Sequence, residues 1–240
     1  MKKPIIKHHQ ETDRLLRTVS RSIRDVIFGL EDGIVSTLGA VTGIAGATLD
    51  NRFVILAGLV LIAVEALSMA AGTYLAAKSE REVQEKRIAG ELREIREQPE
   101  AEKEELATMY RQRGYDEDEI KVCVGRVAKD EKLMLEEMMH KELGVVGAAL
   151  EVPARNAVWM WFSYMAGGFV PLVLYFSLPV NTALWSSILL SVAALFIVGV
   201  IKSKFTVVHW FKSGLEMVVI SLSAAALGYL VGRLVEIYVI

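Results

Sequence analysis

The stretch Phe53-Val-Ile-Leu-Ala-Gly-Leu-Val-Leu-Ile-Ala-Val-Glu-Ala-Leu-Ser-Met-Ala-Ala-Gly-Thr-Tyr-Leu-Ala-Ala77 decides the fold. Its only charge is Glu65. As a helix rising about 1.5 Å per residue, it is long enough to cross a hydrocarbon core of about 30 Å. Lys78-Ser-Glu-Arg-Glu82 follows at once, and from Glu80 to Glu142 the chain holds 19 acidic and 13 basic residues, which is 32 of its 56 charges in 63 of 240 positions. The chain is 53% hydrophobic and 23% charged, with mean hydropathy +0.37. Charge and apolar residues are therefore segregated along it. That pattern excludes a disordered chain, a disulfide-stapled secreted scaffold and a simple water-soluble enzyme, and implies a membrane protein carrying a hydrophilic insert. Cys123 is the single cysteine, which rules out an intrachain disulfide, a zinc–thiolate cluster and a Cys-x-x-Cys motif.

Four more stretches approach the length of a span: Val26 to Leu49, Ala157 to Leu178, Ala183 to Ile201 and Leu215 to Gly232. The expected fold is all-α, a polytopic membrane protein with five transmembrane helices and a three-helix cytoplasmic insert between helices 2 and 3. Three segments follow: residues 1–79 with the first two spans, 80–143 as the insert, and 144–240 with the last three spans. Retained cytoplasmic flanks are rich in Lys and Arg. Lys2, Lys3, Lys7 and four arginines precede the first span, Lys78 follows the second, and Lys202, Lys204 and Lys212 lie between the fourth and fifth. The N-terminus and the insert are accordingly expected in the cytoplasm. The N-terminus lacks a short apolar core with a small-residue cleavage site and any sorting extension, which points to a prokaryotic cell membrane rather than a vacuole. Net charge −2 without basic residues interleaved with aromatics makes nucleic acid a poor partner. The insert is broken at Pro99 and Gly114, giving helical pieces near Glu80 to Gln98, Glu100 to Arg113 and Asp116 to Leu143, the last capped by Asp116 with Glu119 at capping-box spacing.

Asp32 lies about 9 Å along the first span and Glu65 about 18 Å along the second. A carboxylate at the centre of a membrane helix costs on the order of 2.5–3.5 kcal/mol even on insertion scales, so such residues face a partner or a watery path. Asp25 is two turns before Asp32 on the same face, at the cytoplasmic edge beside Arg24, where its ordinary alternative is a solvated end charge. Met69 follows Glu65 at i+4, placing a thioether and a carboxylate on one face, a pairing suited to a borderline transition ion. By itself a methionine in an apolar helix is more often packing. Gly39 with Gly43, and Gly228 with Gly232, form Gly-x-x-x-Gly pairs that permit close helix approach or dimerisation. Pro171 after Gly167-Gly168 predicts a kink.

In the insert, Glu91 with Glu94 and Glu102 with Glu105 each share a helix face, and Met138, Met139 and Glu142 add two sulfurs and a carboxylate. Converging, they would bind divalent ions with affinity falling in acid; unconverged, they are a solvated charged face. Glu137-Met-Met-His140 has the spacing of a di-iron helix, but a second Glu-x-x-His is absent from the sequence, so an oxidase is a minor reading.

These residues together resemble the vacuolar iron transporter family. The resemblance rests on Arg24-Asp-Val-Ile-Phe-Gly-Leu-Glu-Asp-Gly33, Val35-Ser-Thr37, the glycine-rich run to Gly46, Ala66-Leu-Ser-Met-Ala-Ala-Gly-Thr-Tyr-Leu75, Met138-Met-His-Lys-Glu-Leu-Gly144 and Gly167-Gly-Phe-Val-Pro-Leu172. It implies a homodimer of five-helix protomers exchanging Fe²⁺, and often other divalent ions such as Mn²⁺, Co²⁺ or Zn²⁺, for protons, with the ion path between protomers and lined by the first two helices. By that resemblance Asp25 stands at the cytoplasmic mouth, Asp32 is an intramembrane ion or proton ligand and Met69 is the pore methionine. Glu91, Glu94, Glu102, Glu105, Met138, Met139 and Glu142 match the metal-collecting site of members with a helical insert. The chain departs from the pattern at Leu61, where such members carry a glutamate two turns before the methionine; here Glu65 stands one turn before it.

The expectation is a proton-coupled exporter of divalent transition metal from the cytoplasm. It is not an enzyme and has no prosthetic group: the metal is its substrate, protons are the coupling ion, and membrane lipid and a second copy of the chain are its partners. The alternative is a membrane-anchored metal sensor without transport, against which the intramembrane Asp32 and Glu65 argue, because an anchor has no use for them.

Overall fold

A computed structural model describes residues 5–48, 50–141 and 152–238, and among them regular structure is helical, with no strand. The helices are α1 (Ile5–Ala47), α2 (Asn51–Glu97), α3 (Pro99–Gln112), α4 (Glu117–Val127), α5 (Glu131–Lys141), α6 (Pro153–Leu172), α7 (Val180–Ser203) and α8 (Trp210–Tyr238), with a 3₁₀ turn over Val173–Phe176. Five helical stretches among the described residues are long and apolar enough to cross a membrane: Ile23–Ala47, Asn51–Glu97, Pro153–Phe176, Val180–Ser203 and Trp210–Tyr238. α1 starts well before its apolar part. No glycine or proline interrupts residues 5–28, so nothing stops the helix there. The chain divides into two compact units, one of Met1–Leu16 and Ala77–Val152 and the other of Arg17–Ala76 and Pro153–Ile240.

In the second unit, Val41, Val54, Ile62, Leu172, Tyr175 and Leu184 form the main buried cluster. The two Gly-x-x-x-Gly pairs meet each other within the one chain: a Cβ on Gly228 would overlap the Gly39 carbonyl, and one on Gly232 the Gly43 carbonyl. Missing side chains thus set the contact distance between α1 and α8. Pro171 cannot donate to the helix ladder, and one residue later α6 gives way to the 3₁₀ turn. The carbonyls left over find side chains. Ser187 on α7 donates to the Pro171 carbonyl at 2.6 Å. The Asn51 amide donates to the carbonyls of Tyr175 at 2.8 Å and Leu178 at 2.7 Å. Such substitution is what permits a broken helix in an apolar surround. Asp50 opens α2 by accepting from the Arg52 N–H at 2.8 Å.

In the first unit, Ile95, Leu106, Tyr110, Ile120, Val124, Val127, Met134 and Met138 make one core from the end of α2 and from α3, α4 and α5. Pro99 sits at the first position of α3, and Gly114 turns the chain with φ 88°. The capping box forms as expected: the Glu119 N–H donates to Asp116 Oδ1 at 2.8 Å and the Asp116 N–H to Glu119 Oε2 at 3.0 Å. The piece expected to run unbroken from Asp116 is instead two helices, so the insert has four helical segments rather than three. Asp130 makes the break by accepting from the Lys132 N–H at 2.9 Å and the Leu133 N–H at 3.3 Å, which caps α5 and replaces the helix that would otherwise continue. The expected end at Leu143 lies outside the described residues.

Two exposed forks tie these short helices. Arg96 of α2 donates twice to Glu131 of α5, at 3.0 and 2.7 Å, and Arg111 of α3 twice to Glu117 of α4, at 2.7 and 3.2 Å. The hydrogen bond from Arg96 holds the Glu131 carboxyl below its ordinary 4.5. Its contribution to stability is therefore full above about that value and fades as pH falls through the lowered value in the folded protein. Glu131→Gln should lower the unfolding midpoint of the insert at neutral pH, and the gap to wild type should close on acidification; chemical denaturation across a pH series checks this. In the other unit, Asn51→Ala leaves two carbonyls without their donor and should cost about 1–3 kcal/mol of stability, read from unfolding of the purified protein in detergent.

Candidate functional site

α1 carries Asp25 and Asp32 two turns apart, so both lie on one helix face. Asp25 is buried, with 5% of its surface exposed, and Arg24 Nη2 approaches its Oδ1 at 3.4 Å. Asp32 is half-buried and lies near enough to Glu65 of α2 for the two charges to act on each other. Tyr164 of α6 feels both carboxylates. Its hydroxyl is 2.6 Å from Ser36 Oγ, one turn beyond Asp32, and Ser36 also donates to the Asp32 carbonyl at 2.7 Å. Asp32, Glu65, Ser36 and Tyr164 thus form one polar neighbourhood contributed by three helices. Met69 is half-buried one turn beyond Glu65.

Backbone contact positions this group. A Cβ on Gly33 would overlap the Tyr164 carbonyl, and one on Gly167 would overlap the Leu30 carbonyl. α1 and α6 therefore touch main chain to main chain, which brings the Tyr164 ring alongside Ser36. Gly168 admits Ile62 of α2 and the Thr37 hydroxyl of α1 in the same way, with contacts a Cβ would meet at 2.7 and 3.0 Å. Ile62 lies one turn before Glu65, so the crossing that seats Tyr164 also seats α2.

Sequence reasoning did not single out Ser36, Tyr164 or Glu31. Glu31 is half-buried beside Asp32, and both Lys202 at the end of α7 and Asp32 act on it electrostatically. It had a signal, since a third carboxylate in the first span is as costly as Asp32. Tyr164 had none: a hydroxyl in an aromatic-rich span becomes informative only when the fold shows what it faces.

In the insert the carboxylates separate into two kinds. Glu91 of α2 and Glu102 of α3 are buried, 4% and 6% exposed, each one turn before a core residue, Ile95 and Leu106. Glu94 and Glu105 are exposed. Met138 and Met139 are both buried, and Met138 belongs to the core itself. Glu142 lies outside the described residues. Among the described residues, no three His, Cys, Asp or Glu side chains gather into a group able to hold a metal ion.

Known proteins place the chain. The vacuolar iron transporter 1 of Arabidopsis thaliana is 31% identical over 98% of this chain and 93% of its own length. Vacuolar iron transporter 2 of Oryza sativa subsp. japonica is 31% identical over 91% of this chain and 89% of its own. The vacuolar iron transporter of Plasmodium falciparum is 26% identical over 88% and 81%. With the VIT family pattern matched from residue 23 to residue 233, across both units, the chain belongs to the VIT family.

Proposed function

We propose that the protein moves divalent transition metal, Fe²⁺ foremost, out of the cytoplasm in exchange for protons. The observation that carries this reading is the pairing of Asp32 with Glu65 inside an apolar helix bundle, beside the Ser36–Tyr164 hydrogen bond. Two carboxylates near enough to act on each other in an apolar surround need compensating charge. A divalent cation supplies it, and so does protonation. Metal ligation requires the deprotonated form, so ion and proton compete for the same oxygens, which is the elementary requirement for exchange. Asp25, buried on the same face of α1 near the start of its apolar span, is the entry ligand. Met69 adds a soft sulfur one turn from Glu65, which favours Fe²⁺, Mn²⁺, Co²⁺ or Zn²⁺ over Mg²⁺ or Ca²⁺.

In this reading the ion passes between two copies of the chain, each contributing half of the ligands. A path shared by two copies asks only half a coordination shell from each. The insert collects metal from the cytoplasm through Glu91, Glu94, Glu102, Glu105, Met138, Met139 and Glu142. The exposed members offer first contact and the buried ones tighter ligation. The N-terminus and the insert face the cytoplasm. Relatives named iron transporters support the iron reading.

Fe²⁺ entry into proteoliposomes with an acidic lumen tests the proposal. Wild type should show flux that disappears when an ionophore collapses the pH gradient, and Asp32→Asn should lose at least tenfold of it while remaining folded. A folded Asp32→Asn protein transporting at the wild-type rate would remove that residue from the path. Flux that ignores the gradient would remove proton exchange, and folded wild type that binds metal without flux would make it a sensor. Tyr164→Phe removes one hydroxyl and no bulk, and by the usual worth of one hydrogen bond it should lower flux roughly fivefold with a normal melting profile.

A further inference from the structure

The connection from α7 to α8 carries a charge and exposure pattern that the ion path does not use. Between Lys202 and Lys212 the sequence Lys-Ser-Lys-Phe-Thr-Val-Val-His-Trp-Phe-Lys contains three lysines and no acid. Lys202 acts on Glu31 of α1. Lys204 and Lys212 are exposed, with no ion pair among the described residues. Between them Val207 is wholly exposed, and Phe205, Trp210 and Phe211 are each half or more exposed.

Two of these rings, Trp210 and Phe211, are held in place. The Phe196 ring of α7 lies 6.4 Å from Trp210 and 6.3 Å from Phe211, both edge-on, and the Trp210 and Phe211 rings are 5.7 Å apart. His209 Nδ1 accepts the Phe211 N–H at 3.3 Å. The Phe205 N–H donates to the Lys202 carbonyl at 3.0 Å, so the chain leaves α7 through a tight turn. An ordered segment presenting Trp, Phe and Val between lysines matches the headgroup level of a bilayer, where amphipathic rings lodge and ammonium groups meet lipid phosphates. A zwitterionic surface satisfies the apolar side chains. Two cations with no acidic neighbour between them are complementary to lipid carrying net negative charge.

We propose that the α7–α8 connection is a binding site for anionic phospholipid headgroups, with Lys204 and Lys212 as the charge contacts and Phe205, Val207 and Trp210 as the inserted apolar anchor. The site rests on the membrane-spanning reading of α7 and α8 but not on transport. Trp210 is a built-in reporter. The test reconstitutes the full chain in phosphatidylcholine vesicles doped with spin-labelled phosphatidylglycerol or with spin-labelled phosphatidylcholine, and takes the Trp210 signal as the difference between wild type and Trp210→Phe.

The labelled phosphatidylglycerol should quench Trp210 more strongly. That preference should fall by about thirtyfold in the Lys204→Gln/Lys212→Gln protein. It should persist in Lys204→Arg/Lys212→Arg and shrink as salt is raised. Equal quenching by the two lipids, or a preference surviving the glutamine pair, overturns the site. Quenching by neither lipid overturns the membrane placement beneath it. Mass spectrometry of lipid retained through purification gives a second reading independent of Trp210→Phe: wild type should carry phosphatidylglycerol over phosphatidylcholine and the glutamine pair should not. Equal retention would count against the proposal.

Discussion

The main-chain contact between α1 and α6 is the constraint on which the second unit depends. Gly33 meets the Tyr164 carbonyl and Gly167 meets the Leu30 carbonyl, so there is no room at either position for a methyl group. Without a hydrophobic force between helices in lipid, such contacts draw on dispersion along two closely apposed backbones. The consequence is positional. With the helices that close, the Tyr164 hydroxyl reaches Ser36, and Gly168 receives Ile62 from α2 one turn before Glu65. A wider crossing would separate all three helices that supply the polar group. α8 is fitted to α1 by the same device further along, at Gly39 and Gly43 against Gly228 and Gly232.

Carbonyls at the break in α6 are handled by pairing. Pro171 breaks the ladder of α6, and Ser187 and Asn51 take up carbonyls at and beyond the break. The same rule makes Asp32 and Glu65 informative. Polar groups that only stabilise a bundle are matched donor to acceptor, whereas two carboxylates acting on one another are mismatched until something positive arrives.

The five apolar stretches and the Asp116–Glu119 capping box were legible in the sequence because each is local: length and a fixed spacing. The break before α5 was missed because Ala128-Lys129 reads as helix, and Asp130 is an interior residue or a cap depending on whether Met134 must reach the core beside Ile120. The Gly-x-x-x-Gly pairs were legible as contact surfaces but not as partners of each other, since spacing names no partner. In the candidate site, Asp25, Asp32, Glu65 and Met69 stood out by their cost or spacing in an apolar run. Ser36 and Tyr164 did not, because each acquires meaning only from the other, 128 residues away. In the insert, spacing put Glu91 with Glu94 and Glu102 with Glu105, yet the structure buries only one of each pair, a distinction set by which neighbour joins the core.

Charge accounting around α1 carries the argument one step further. In this region Asp32 acts on Glu31 and Glu65 acts on Asp32, while Lys202 acts on Glu31 with the opposite sign. When both are ionised, Asp32 and Glu65 carry two negative charges between them. One divalent cation or two protons neutralise that pair, whereas a monovalent ion leaves it half compensated in an apolar surround where residual charge is expensive. Lys202 brings to Glu31 the charge opposite to its own, and the two remaining carboxylates match a divalent cation in charge.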